Sequence, residues 1–508
     1  MSKHKNTLFI AFCTMIFTIT LISCKKNQDV APAEMLVTGP DVNLYALTND
    51  NKLIAFNAKT PNTATAQVSI TGLQTGELIV GIDFRPATGQ LYGLGNSSRI
   101  YVIDPKTGAA RAINATPFTP AISGTAYGFD FNPTVDRIRL VSSNGQNLRL
   151  NPETGLVAAT DLAINGFADA KIGSVAYTQN RAGASTTVLF DIDATTNKLY
   201  KQDPPNDGKL VEVGSLGYDI DEAGGFDISP DGNAALAALT TNGKSSLFTI
   251  DLTTGKAGRI GELSQTIIGI AIPTEPVAYA ISANNELLIF NHTSATPTFT
   301  AKMITGVQAG ENIVGLDMRP LNGQLFALSS ASRIYSINAS SGAAALVGTG
   351  PLTTLLVGAQ FGFDFNPTVD RIRIVSNTGQ NFRVNPADAA LTIDLPIVST
   401  NAAIGGAAYT NNFAGATTTV LYDIDPITDR LYKQDPPNNG TLVDVGPLGI
   451  NIESSNGFDI GGTSANAYGI FTVGTTQRLY TVNLTTGAAT AGATITTSVR
   501  AFALGLGF

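Results

Sequence analysis

Residues 81–113 read GIDFRPATGQLYGLGNSSRIYVIDPKTGAARAI. Apolar residues alternate within short runs, and clusters of Pro, Asn, Ser, Asp and Gly separate those runs. The stretch therefore predicts four short strands joined by tight turns, with no helical period. Its opening, a Gly followed by an alternating apolar tetrad, recurs at Gly81, Gly128, Gly173, Gly225, Gly269 and Gly315. Four strands per step of roughly 45 residues is the pattern of propeller blades.

A longer repeat encloses the short one. Gly128-Phe129-Asp130-Phe131-Asn132-Pro133-Thr134-Val135-Asp136-Arg137-Ile138-Arg139 returns unchanged as Gly362 to Arg373. Leu199-Tyr200-Lys201-Gln202-Asp203-Pro204-Pro205-Asn206 returns as Leu431 to Asn438. Two copies, 41–274 and 275–508, thus account for nearly the whole chain. In each copy the first blade has only three strands at its start, in 43–70 for the first copy. Gly269-Ile270-Ala271-Ile272 would supply the fourth there, and Ala503-Leu504-Gly505-Leu506 would do so for the second copy, which opens at Ala278-Tyr279-Ala280-Ile281. The expected fold is all-β: two tandem five-bladed propellers, each closed by its own last strand. The alternative is one ten-bladed ring. Pro273-Thr274-Glu275-Pro276 would be a short, stiff joint.

The 508 residues carry only 14% charged side chains, with 43% hydrophobic residues and 51 glycines. Disordered chains are rich in charge and poor in apolar residues, so this composition describes a turn-rich globular protein. Net charge is −8 and no basic run occurs beyond the N-terminus, which argues against nucleic acid as a partner. At the N-terminus, Lys3 and Lys5 precede an apolar run from Leu8 to Ile22, of signal-peptide length. The run ends in Leu21-Ile22-Ser23-Cys24, which resembles the lipobox of bacterial lipoproteins. The resemblance implies a signal peptide over 1–23, acylation of Cys24 and a tether over 24–40. Lys25 after the cysteine implies sorting to the outer membrane, so the expected membrane contact is a lipid anchor. Cleavage would remove Cys13 and leave no cysteine pair for a disulfide.

The chemistry available is narrow. His4 would leave with the signal, and His292 alone is then too few for most histidine-dependent catalysis. Asn291-His292-Thr293 reads as an exposed turn. Zinc motifs and a G-x-S-x-G elbow are absent, as is Trp. What remains is a constellation of carboxylates, amides and guanidinium groups: Asp130, Asn132, Asp136, Arg137 and Arg139, repeated as Asp364, Asn366, Asp370, Arg371 and Arg373. Gln146, Asn147 and Arg149 follow, repeated as Gln380, Asn381 and Arg383. Alternation along a strand puts Asp130 with Asn132 and Arg137 with Arg139. One reading makes this a ligand pocket, with Arg clamping an anion. The other, favoured, makes it scaffold, with inner-strand Asp paired to neighbouring Arg and Asn building turns. Two oxygen-rich loops are candidates for calcium, Asp203 to Gly208 and Asp227 with Asp231-Gly232, although neither has the EF-hand spacing. No other cofactor is expected. Asp83, Asp130 and Asp227 would form a catalytic set only if the fold brought them to one ring mouth.

The GFDFNPTVDRIR block, the Leu-Tyr-Ala-Leu-Thr opening at residue 44 and the DIDxxTxxLYKQDPPN segment resemble the bacterial family called domain of unknown function 4394. The resemblance covers both copies and implies a secreted or surface protein; it supplies no active site. The expected function is a non-enzymatic binding or interaction module of the cell envelope, with an unidentified extracellular or periplasmic ligand or protein. The alternative is a carboxylate- or calcium-dependent propeller enzyme of glycosidase, lyase or lactonase type.

Overall fold

Alternating apolar residues within five- to seven-residue runs give strands that bury one or both faces, and the Asn, Asp and Gly clusters between them give tight turns. In the computed structural model these strands form ten four-stranded antiparallel sheets. The structure describes residues 1–2, 36–168, 170–398 and 403–508. Cys24, the apolar run before it and the tether up to residue 35 lie outside the described residues. Among the described residues, helical structure is confined to two short 3-10 turns, Pro205–Asp207 and Pro437–Asn439. No helix there is long and apolar enough to cross a membrane.

Eight of the sheets take four consecutive strands, and the other two do not. Ile267–Ala271, the last strand of the first copy, pairs with Asn43–Thr48, with Ala46 opposite Ile270. Val499–Leu504, near the chain's end, pairs with Ala278–Ser282, with Ala280 opposite Phe502. Each copy therefore completes its own first sheet, leaving five sheets per copy.

The first strand of each sheet lies beside the first strand of the next. In the first copy, Ile79–Phe84 touches Tyr127–Asn132, then come Ile172–Tyr177, Glu222–Ile228 and Ile267–Ala271, which again touches Ile79–Phe84. The second copy repeats the cycle with Ile313–Arg319, Phe361–Asn366, Gly406–Tyr409, Ser454–Ile460 and Val499–Leu504. The recurring Gly marks where these inner strands approach most closely. A Cβ on Gly128 would stand 2.6 Å from Val175, and one on Gly81 would stand 2.9 Å from Phe129. Apolar side chains fill the space between successive sheets, as where Tyr92, Leu94 and Phe118 meet Phe129, Phe131 and Leu140.

The two copies also touch. Tyr279 Oη donates to Ala87 O (2.8 Å), and Gly507 N–H donates to Thr88 O (2.8 Å). The chain's end shields His292, which is buried rather than exposed in its turn. Its ring lies 5.1 Å from that of Tyr468 and 6.2 Å from that of Phe508. Burial pushes its pKa down to about 4, so the imidazole is neutral at physiological pH.

Removal of residues 499–508 should strip the second copy of one sheet edge. Phe502 and Leu504 each bury a side chain worth about 1.5–3 kcal/mol. Hydrogen exchange should show amides of Ala278–Ser282 losing protection while those of Asn43–Thr48 keep it. Equal loss at both strands would show that the copies do not complete their sheets separately.

Candidate functional site

Asp83, Asp130 and Asp227 occupy the same place on three inner strands, and Ala176 and Ala271 occupy it on the other two. Each carboxylate reaches across to the next inner strand. Asp83 Oδ2 accepts from Phe131 N–H (2.7 Å), Asp130 Oδ1 from Tyr177 N–H (3.0 Å) and Asp227 Oδ2 from Ile272 N–H (2.5 Å). The second oxygens of Asp83 and Asp227 accept from Phe84 N–H and Ile228 N–H. In the second copy, Asp317, Asp364 and Asp459 accept in the same way from Phe365, Tyr409 and Leu504.

These bonds gather each set of three at the centre of its copy. One oxygen from each carboxylate lies within 4.8 Å of the others, in both triads. All six Asp are only 1% exposed. Burial, then the charge of Asp227, holds Asp83 well above the ordinary carboxylate range, and burial with Asp83 and Asp227 does the same to Asp130. Asp227 and Asp459 are pushed up to about 7 by burial, against the pull of their backbone N–H donors. Asn180, fully buried, faces Asp227 and also favours its ionised form.

The same inner strands line a depression at Gly81, Gly128, Ser174, Gly225 and Gly269, with a volume of about 10 Å³; no triad carboxylate lines it. Its counterpart in the second copy, lined by Gly315, Gly362, Gly457 and Arg500, has the same volume. That is room for about one water.

The remaining residues of the duplicated motif bond to other groups of the protein. Asn132 Oδ1 accepts from the backbone and hydroxyl of Thr134, and Asn366 does so from Thr368, which closes the Asn-Pro turn. Asp136 accepts a two-pronged bond from Arg85 (2.9 and 2.5 Å), and Asp370 one from Arg319. Arg137 and Arg371 each donate to the carbonyl of the Asp before them (2.8 Å). Arg139 donates to Asp161 (2.7 Å), Asn147 (2.7 Å), Asn206 (2.8 Å) and Tyr177 Oη (3.3 Å). Arg373 makes the same four bonds to Asp394, Asn381, Asn438 and Tyr409. Burial alone would raise the Asp161 carboxyl; bonds from Arg149 and Arg139 outweigh it and hold the pKa below the ordinary value.

The scaffold reading had Asp130 bonded to a neighbouring Arg. Asp130 instead bonds to backbone, and Arg139 finds Asp161, which lies in a loop outside the duplicated blocks. The loop Asp203 to Gly208 presents Asn206 to the Arg139 guanidinium and Pro205 O to Asn147 and Gln202. Asp231 serves its own turn through Ser229 and Asn233. Asp227 points away from that turn and into the triad. The identical spacing of Asp83 and Asp317 behind their glycines was the signal for the triads in the sequence.

A family model described as domain of unknown function (DUF4394) matches residues 52–271 and again 286–504. The chain belongs to this family. No curated protein matches it. The two DUF4394 regions each contain a complete triad and a complete Arg139-type network.

Arg139→Ala should strip the donor from Asn147 Oδ1 and Asn206 Oδ1 and leave Asp161 to Arg149 alone, at a cost of about 1–3 kcal/mol for each acceptor left bare. Calorimetry should show a markedly lower melting temperature. A loss under about 1 kcal/mol would instead mark Arg139 as a solvent-reachable ligand group.

Asp423 gives a pH test. It is fully buried, both its oxygens lack hydrogen-bond partners, and burial raises its pKa to about 8. The folded protein keeps this proton, whereas the unfolded chain loses it above about pH 4. The stability it contributes is complete below that pH and is lost as pH rises through about 8. Asp423→Asn should therefore raise the melting temperature at pH 8 and change it little at pH 4. An equal shift at both pH values would refute a neutral Asp423.

Proposed function

We propose that this chain is a lipid-anchored, non-enzymatic binding module of the cell envelope, built as two five-bladed propellers in tandem. The propeller reading draws on the cycle of neighbouring inner strands in each copy and on the return of the last strand to the first sheet. The anchor reading draws on the lipobox-like Leu21-Ile22-Ser23-Cys24.

One surface observation carries the binding reading. Around the turn at Gly379 and Gln380, the second copy exposes Leu355, Val357 and Val398, at 60%, 58% and 82%. Matching hydrogen bonds place Ala121, Ser123 and Asn165 at these positions in the first copy. Gln380 bonds Leu355 O and Val357 N–H as Gln146 bonds Ala121 O and Ser123 N–H. Ile397, before Val398, donates to Gly379 O as Ile164, before Asn165, donates to Gly145 O. A repeat that keeps its interior and carries large apolar side chains at three surface positions held by Ala, Ser and Asn in the other copy has the chemistry of a docking face for an apolar partner surface. The enzyme reading is supported less well. Glycoside hydrolysis needs two carboxyl groups about 5–9.5 Å apart with a sugar between them, and the triads are closer and buried.

A photo-crosslinking residue placed at Leu355 in living cells should give a discrete adduct, and the same residue at Ala121 should give none. Adducts at neither site, or equally at both, would overturn the docking face. Cys24→Ala should release the protein from membranes. Turnover of aryl glycosides or lactones by the full chain, abolished in Asp130→Asn, would replace the binding reading with the enzymatic one.

A further inference from the structure

Four of the six buried triad carboxylates have both oxygens occupied as acceptors. Asp83 and Asp227 take two backbone N–H bonds each in the first copy, at 2.5–2.7 Å. Asp317 and Asp459 take two each in the second, at 2.6–2.7 Å. A carboxyl that accepts short N–H bonds on both oxygens is arranged as an ionised carboxylate, because a protonated oxygen is a poor acceptor. Two such groups and a third carboxyl have oxygens within 4.8 Å of one another, and among the described residues no Lys, Arg or His contributes to the electrostatics of any of the six. Like charges so placed repel unless something positive stands between them.

Two further polar groups point the same way. Asn180 is fully buried and faces Asp227, yet neither its Oδ1 nor its Nδ2 completes a hydrogen bond. In the second copy, Asp364 Oδ2 is buried without a partner.

We propose that each triad holds one hard divalent cation: Asp83, Asp130 and Asp227, with the Asn180 side chain beside Asp227, in the first copy, and Asp317, Asp364 and Asp459 in the second. The donors are all oxygen, which suits calcium, magnesium or manganese and disfavours zinc or copper. Oxygens at opposite sides of an ion with bonds of about 2.4 Å stand roughly 4.8 Å apart, so three carboxylate oxygens that all lie within 4.8 Å of one another are close enough to share one ion. The ion would be a structural part of each copy, joining three of its five inner strands. This inference is independent of the docking face.

The test uses the full chain, stripped with chelator and dialysed separately against calcium, magnesium and manganese chloride. Elemental mass spectrometry should find two ions of at least one metal retained per chain, and that metal should raise the melting temperature. Asp130→Asn should retain one ion, as should Asp364→Asn, and the double variant none. Hydrogen exchange over the altered copy checks that each variant still folds there, and circular dichroism checks the double one. Should wild-type protein retain no metal, with a melting temperature unchanged by all three salts, the triads are shared-proton clusters and the proposal fails. Two ions still retained by the double variant would also overturn it, because the metal would then sit elsewhere.

Discussion

The first strand of every sheet has an edge with no ladder partner, and it is packed against the neighbouring sheet rather than paired with it. Its N–H groups on that edge are buried and need acceptors, because an orphaned buried donor costs free energy comparable to a lost hydrogen bond. The Asp carboxylates supply them: Phe131, Tyr177 and Ile272 N–H are each satisfied by an Asp on the preceding inner strand. A side chain thus does between sheets what the backbone does within them. The consequence is three carboxylates converging where the strands converge, with the electrostatic cost that follows.

A second tier of polar joints works further out. Arg139 and Arg373 each bind a loop of their own sheet, through Asp161 and Asp394, and the following sheet, through Asn206 and Asn438. Removing Asp161 or Asp394 leaves a buried guanidinium without its carboxylate, whereas removing Arg139 or Arg373 leaves the carboxylate to Arg149 or Arg383 alone. Arg85 and Arg319 add a similar joint, with a difference produced by packing between copies. Arg85 Nη1 also donates to Asn322 O of the second copy and is wholly buried, whereas Arg319 stays partly open.

The two copies are alike inside and unlike outside. Interior positions are held by packing and by polar groups that must be satisfied together, so a change at one needs changes at several. Surface positions such as Leu355 and its counterpart Ala121 carry no such constraint. The apolar face of the second copy is therefore where the duplicated chain was free to become different.

The strands, turns, duplication and sheet count follow from the sequence alone, because alternation, turn residues and exact repeats are local signals. The sequence also shows that each three-stranded opening needs a fourth strand from elsewhere, but it leaves a single ten-bladed ring open, and only the pairing of Ile267–Ala271 with Asn43–Thr48 and of Val499–Leu504 with Ala278–Ser282 decides which strand supplies it. The partners of the polar motif do not follow. Asp161 and Asp394 lie in loops whose sequences differ between copies, and no spacing rule links them to Arg139 and Arg373. The burial of His292 depends on Phe508, more than 200 residues away, folding back over it. The triads combine both cases: each Asp is visible behind its glycine, but their meeting within 4.8 Å depends on three separate inner strands converging. Sequence determines which way a side chain points from its strand; only the convergence of the inner strands decides what it meets there.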